Sequence, residues 1–126
     1  MVFWIFAALV VYYIHLFLPS MIRIPQIGIS RYVGSRDDLP ALPAIGQRAE
    51  RAHNNLRENM IPFVALALLS LALGEVSATA ILGAQLFVLA RIVYLLCYLF
   101  AVPWLRSIVW SIGFVGLVLM AWPLIG

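Results

Sequence analysis

The sequence predicts an all-α integral membrane protein built as a bundle of four transmembrane helices. Three observations predict it. Hydrophobic residues occupy 65% of the 126 positions and charged residues only 10%, against about 25% charged in a soluble fold. Mean hydropathy is +1.06, so there is too little polar surface to face water on every side, and the bilayer is the main solvent. Four long apolar stretches, at about residues 2–21, 48–73, 78–100 and 104–124, are separated by polar or proline-bearing breaks. The length fits a single domain over residues 1–126.

The first span has no Asp, Glu, Lys or Arg through residue 22, enough for the roughly 20 apolar residues that cross a bilayer. It lacks a basic leader and a small-residue cleavage site, so it reads as a retained helix rather than a signal peptide. His15 lies inside it and is expected to be a packed or interfacial residue, although an intramembrane His is also a functional candidate. Residues 23–47 form a polar connection with Pro25, Pro40, Pro43 and the run Gly34-Ser35-Arg36-Asp37-Asp38. Its turn chemistry makes it a loop, and loops of this length are often functional.

The second span opens near Gln47 with three polar turns holding Arg48, Glu50, Arg51, His53, Asn54, Asn55, Arg57, Glu58 and Asn59, then turns apolar from Pro62. Gly74, Glu75 and Ser77 mark a short turn. The third span is interrupted only by Gln85 and Arg91. Pro103 suits the first position of the fourth span, where its missing N–H costs nothing.

All eight cations are arginines, and most sit in the first loop, the start of the second span and the third junction. The positive-inside rule puts loops 1 and 3 in the cytoplasm and both termini on the opposite side. Arginines within and beside apolar runs do not make a nucleic-acid patch; a planar, permanently charged guanidinium instead suits fixed recognition of carboxylates. The single Cys97 excludes an intramolecular disulfide and is expected to be a packed small hydrophobe.

Arg48, Arg51, Asn55 and Glu58 share one helical face by their three- and four-residue spacing. Glu58 and Arg91 each lie about 15 Å along their helices from the cytoplasmic end, at 1.5 Å per residue. Matched depth predicts an ion pair between them, as intramembrane charges face the bundle interior and pair or mark a site. Arg91, Tyr94 and Tyr98 form a second stripe. Interfacial aromatic belts offer Tyr98 a simpler explanation, and Tyr94 lies deeper. Pro103-Trp104-Leu105-Arg106-Ser107 opens the fourth helix, and free N–H groups at a helix start favour anions. With Arg106 and the Ser107 hydroxyl, such a site can hold a thiol as its thiolate; a topogenic anchor is the plainer alternative for Arg106. Metal-ligand spacing, a phosphate loop and a catalytic triad are not seen.

Arg51-Ala52-His53-Asn54-Asn55-Leu56-Arg57-Glu58-Asn59 with Pro62-Phe63, then Arg91-x-x-Tyr94-x-x-x-Tyr98, then Pro103-Trp104-Leu105-Arg106-Ser107 together resemble the motifs of the MAPEG family, membrane-associated proteins in eicosanoid and glutathione metabolism. The Gly34-Ser35-Arg36-Asp37 loop is similar to that of bacterial members, which implies a bacterial inner membrane. The resemblance covers nearly the whole chain. It implies a homotrimer with sites between subunits, and a glutathione-dependent transferase or peroxidase acting on a lipophilic small molecule drawn from membrane lipid. By motif, Arg51, Asn55 and Glu58 hold the glutathione peptide, Arg91, Tyr94 and Tyr98 complete the cavity, and Arg106 with Ser107 stabilises the thiolate. Arg23 aligns with a further glutathione-contacting arginine. Asn54 replaces an arginine of some eicosanoid-forming members, and Tyr94 a histidine. A rival class is non-catalytic: a trimeric scaffold, or an accessory subunit that binds lipid or a partner, in which the polar stripes only join helices.

Overall fold

A computed structural model describes residues 1–35 and 37–126. Arg36, within the polar loop run, lies outside the described residues. The helices are α1 (Val2–Ile27), α2 (Ile29–Val33), α3 (Ala44–Leu73), α4 (Ala78–Leu99) and α5 (Pro103–Ile125). All but α2 are long and apolar enough to cross a bilayer. The chain is therefore an integral membrane four-helix protein, as its composition predicts.

The expected boundaries hold within one residue for α4 and α5 and shift at the first loop. α1 continues past residue 21 to Ile27, through Pro19 and Pro25. It stops at Gly28, whose φ of 82° suits glycine and whose N–H returns to the Ile24 carbonyl at 2.8 Å. The loop contains the five-residue α2, which the sequence did not announce, and α3 begins early at Ala44. Side-chain to backbone bonds staple this region together. Arg23 donates to the Pro40 carbonyl at 2.9 Å and Gln26 to that of Ala41 at 3.0 Å. Arg31 donates to the Asp38 carbonyl, and Gln47 to that of Leu42 at 2.8 Å. They give loop carbonyls the partners that no regular element supplies.

The α3–α4 turn is set by local chemistry. Gly74 takes a left-handed conformation, and the Glu75 N–H bonds the Ser70 carbonyl at 2.9 Å while Gly74 N–H bonds that of Leu71 at 3.2 Å, which is a Schellman ending. Ser77 caps α4 by accepting from the Ala80 N–H at 3.1 Å. Ser77→Ala is expected to lower stability by about 1 kcal/mol, measured as a fall in the detergent unfolding midpoint.

Small residues line many of the helix contacts, beside a few large buried side chains such as Phe63, Phe87 and Met120. Ala49, Ala52, Ala67, Ala80 and Ala84 are buried, while Phe3, Phe6, Phe17, Ile61 and Trp122 face outward. In lipid no hydrophobic force drives large side chains inward, and small residues let helix backbones approach and gain contact energy. The tightest approach joins α4 and α5 at Gly83 and Gly116. A Cβ on either would fall 2.4–2.6 Å from the other's carbonyl oxygen. Phe63 of α3 stacks on Phe87 of α4 with ring centroids 4.5 Å apart.

The core has two apolar clusters along the bundle. One contains Val11, Leu56, Phe63, Phe87, Val88 and Met120. The other, nearer the arginine-bearing end, contains Ala52, Tyr94, Leu95, Cys97 and Val109, with Leu18 against it. Cys97 is buried in it, the packing role expected of it. His15 is fully buried and bonded through Nδ1 to the Val11 carbonyl at 2.8 Å, so it too is packed.

Candidate functional site

The arginine-bearing ends of α3, α4 and α5 converge. Arg48 on the second turn of α3 donates to the Leu99 carbonyl at the end of α4, at 3.3 Å. α4 ends on a second Schellman turn, with Val102 N–H bonded to the Cys97 carbonyl at 2.9 Å and Ala101 N–H to that of Tyr98 at 3.3 Å. Ala101 occupies the left-handed position at φ 56°, which costs a non-glycine residue about 1–2 kcal/mol. This sharp reversal lets α5 start directly beside the last turn of α4, with Pro103 as its first residue and no side-chain cap. The Arg106 N–H bonds the Val102 carbonyl, so in the first turn Trp104 and Leu105 retain N–H groups outside the helical ladder.

Tyr98 is the centre of this end. The Arg106 guanidinium carbon lies 4.9 Å from its ring centroid and that of Arg51 lies 5.7 Å from it. Two cations from different helices therefore share one aromatic ring. Among the described residues neither forms an ion pair, and the ring quadrupole only partly compensates their charge. A cavity of ≈ 350 Å³ on one side is lined by Asn55, Tyr94, Tyr98, Arg106, Ser107, Trp110 and Ser111. A second, of ≈ 300 Å³, is lined by Arg48, Arg51, Tyr98, Ala101, Pro103 and Arg106. Tyr98 and Arg106 belong to both, so the two form one open polar groove with a positive floor. Such a surface attracts anionic groups, and carboxylates suit the guanidinium fork in particular. Tyr98→Phe is expected to keep this arrangement. Tyr98→Leu removes two cation–π interactions of roughly 0.5–1 kcal/mol each, and weaker anion retention in a binding titration checks it.

Deeper in the bundle, Arg91 is 2% exposed. Its Nη2 donates to the Asn55 Oδ1 at 2.9 Å, and its guanidinium carbon lies 4.9 Å from the Tyr94 ring and 5.6 Å from that of Phe87. Asn59 Nδ2 donates to the Asn55 carbonyl at 2.9 Å. Asn55 thus reaches the groove while held from behind.

The expected Glu58–Arg91 ion pair is not formed. Glu58 is exposed, and Arg91 takes Asn55, one turn nearer the loops, as its acceptor. The physical reason is desolvation: burying two full charges costs more than a low-dielectric Coulomb contact returns unless every other polar atom is satisfied. A neutral amide acceptor avoids half of that cost. The matched-depth argument found the correct helices and missed the facing.

Of the sequence-derived residues, Arg51, Asn55, Tyr94, Tyr98, Arg106 and Ser107 line the groove, and Arg91 supports it through Asn55. Glu58 does not border it, and Arg23 is committed to the loop. The Ser107 hydroxyl donates to the Pro103 carbonyl at 3.3 Å, and Ser111 to that of Ser107 at 2.9 Å. Trp110 and Ser111 were not singled out from sequence. The signal was available, since they follow Arg106 and Ser107 by four residues and share their helical face.

Comparison with known proteins identifies the family. Residues 1–126 match the MAPEG family. The chain is 39% identical over 80 residues to microsomal glutathione S-transferase 1 of Bos taurus, covering 63% of this chain and 52% of that protein. It is 46% identical over 57 residues to the Homo sapiens protein of the same name, covering 45% of this chain and 37% of that one. The chain thus spans no more than 52% of the length of the curated relatives it matches. No solved structure gives a significant match. The match over the full length, residues 1–126, places this chain of four membrane-spanning helices in the MAPEG family.

Proposed function

We propose that the protein is a membrane-bound, glutathione-dependent transferase or peroxidase acting on a lipophilic electrophile. The observation that carries the reading is the Arg51–Tyr98–Arg106 stack at the wall of an open polar groove. Its two guanidiniums share one ring and have no anionic partner among the described residues. Glutathione offers two carboxylates and a thiol. Arg48 and Arg51 suit the carboxylates, and Asn55 with the Tyr94 and Tyr98 hydroxyls suits the peptide. Arg106 and the free N–H groups opening α5 favour a thiolate over a thiol, because they supply positive charge where the proton leaves. The thiolate sulfur then bonds the electrophilic carbon of a conjugation substrate, either expelling a leaving group such as halide with its bonding pair or adding to an activated double bond whose π pair takes up the proton lost by the thiol; in the peroxidase variant two thiols are oxidised to a disulfide as a hydroperoxide is reduced to an alcohol and water. The names of the Bos taurus and Homo sapiens relatives support glutathione as the thiol.

The electrophile is taken from the membrane, and loops 1 and 3, with the groove, lie on the cytoplasmic side of a bacterial inner membrane. A homotrimer completes the assembly. Glu58, exposed one turn beyond Asn55, then faces a neighbouring subunit and joins the site from across the interface. A scaffold role draws on a different observation, the Arg91–Asn55 bond that ties α4 to α3.

Calorimetric titration of the detergent-purified protein with glutathione tests the reading. Saturable binding that Arg51→Ala weakens, with the oligomer intact, supports it. Absence of binding at millimolar glutathione, or an oligomer that collapses in Arg51→Ala and Arg106→Ala alike, moves the assignment to the scaffold.

A further inference from the structure

The outward face of α3 carries charges where lipid gives them no partner. Asn54, Arg57, Glu58, Ile61 and Ala65 are all exposed. At 3.6 residues per turn, Asn54, Ile61 and Ala65 form the centre line of this face, with Arg57 on one flank and Glu58 on the other. The Arg57 flank is the one beside α1. A groove of ≈ 490 Å³ there is lined by Tyr12 of α1 and by Arg57, Met60, Ile61, Val64 and Ala65. Arg57 and Glu58 point about 100° apart, so they do not face each other. Among the described residues neither has a hydrogen bond or an ion pair.

Both charges lie within the bilayer. α3 ends at Leu73, on the side away from the arginine cluster. At 1.5 Å per residue, Arg57 and Glu58 stand about 24 and 22 Å from that end, against a hydrocarbon core of about 30 Å. Both are deeper along α3 than Asn55, whose amide accepts from Arg91 within the bundle. An ionised side chain at such depth faces protein or water and takes a counter-charge. Acyl chains supply none. An anionic headgroup could reach Arg57 alone, and it would repel Glu58 rather than neutralise it. A surface that satisfies both offers a carboxylate to Arg57 and a guanidinium to Glu58, and a second copy of this same face supplies the two. The flanks fix how. With positive charge on one side and negative on the other, the face is complementary to itself by rotation about an axis along the bundle, a head-to-tail contact that closes into a ring. Ala65 and the Asn54 amide suit the seam, since helices in lipid associate through small residues and side-chain hydrogen bonds.

We propose that the outward face of α3 is the contact between copies of this chain, and that Glu58 of one copy pairs with Arg57 of the next. This rests on the assembly proposed above and deepens it, by naming the counter-charge that Glu58 meets at the subunit boundary. It does not depend on glutathione.

A charge swap tests the pair, on the full-length protein in mild detergent, with oligomer size and bound lipid read by native mass spectrometry. Arg57→Glu and Glu58→Arg each set like charges against one another. Each is expected to raise the dissociation constant of the oligomer at least about tenfold. The double variant, Arg57→Glu with Glu58→Arg, restores the pair with its sense reversed and recovers most of the lost association. Should a single variant fail to fold, a folded oligomer in the double variant still reports the pair. Single variants that assemble like the wild type, or a double variant no better than the singles, overturn the proposal. A wild type that is monomeric in the least detergent that keeps it dispersed overturns the pair and the trimer together, whereas a stable trimer indifferent to the swap overturns the pair alone. Loss of a bound anionic phospholipid in Arg57→Glu, with the oligomer unchanged, assigns Arg57 to a lipid headgroup and overturns it too. No thiol enters these measurements, so a failure of glutathione binding leaves their result standing.

Discussion

On the proposed function, Arg106→Ala is expected to lower kcat/KM for glutathione conjugation by about 100-fold, the scale set by removing one electrostatic partner of a developing anion. The side chain lies in the first turn of α5, half-buried against Tyr98, where the helix dipole and two free N–H groups already favour negative charge. Removing it leaves the dipole alone to stabilise the thiolate. The fall should therefore appear chiefly in the thiolate fraction of bound glutathione, read by ultraviolet difference absorbance, and less in the total amount bound. Arg106→Lys should fall between, since an ammonium keeps the charge and loses the planar stack on the ring. Stability should change little, because the cation–π interaction between Arg106 and Tyr98 is worth only about 0.5–1 kcal/mol. Wild-type turnover in Arg106→Ala would remove this residue from the mechanism.

The largest effect on stability is expected at Gly116. A Cβ there meets the Gly83 carbonyl oxygen at 2.6 Å and the Phe87 backbone nitrogen at 2.9 Å. Neither neighbour is a flexible side chain, so a whole helix must move. Gly116→Val should cost about 3 kcal/mol, the upper end for overpacking, measured by denaturation in mixed micelles. The displacement should also reach the groove, since Arg91 follows Phe87 by one turn of α4. Gly113 is the control on the same helix. Its added Cβ would lie 3.5 Å from the Ala90 Cβ, an ordinary contact. Gly113→Ala should be neutral or stabilising, by up to about 1 kcal/mol from helix propensity. Equal losses at both positions would refute the close-approach account.

Much of the site was readable from the chain because helices impose a fixed period. Arg48, Arg51 and Asn55 share one face of α3, and Tyr94 and Tyr98 one face of α4, whatever surrounds them. Pro103 announced the start of α5, and Ser77 and Gly74 the turn before α4. Trp110 and Ser111 were equally accessible by that rule. α2 was not, since five residues carry too little pattern to stand out from a loop.

The sequence by itself determined that this protein lies in a bilayer as four helices, because composition decides the solvent and backbone hydrogen bonding in lipid leaves only helices for apolar runs of this length. It also determined which end carries the cations. Only the tertiary structure decided the partners. Period and depth say which residues could meet, while the rotation of each helix about its axis says which do. Between α4 and α5 it follows the close approach of Gly83 and Gly116, and between α3 and α4 it is fixed where Phe63 stacks on Phe87 and Asn55 meets Arg91. The packed arrangement turns Asn55 rather than Glu58 toward Arg91, and brings Arg51 and Arg106 from two helices to the single ring of Tyr98.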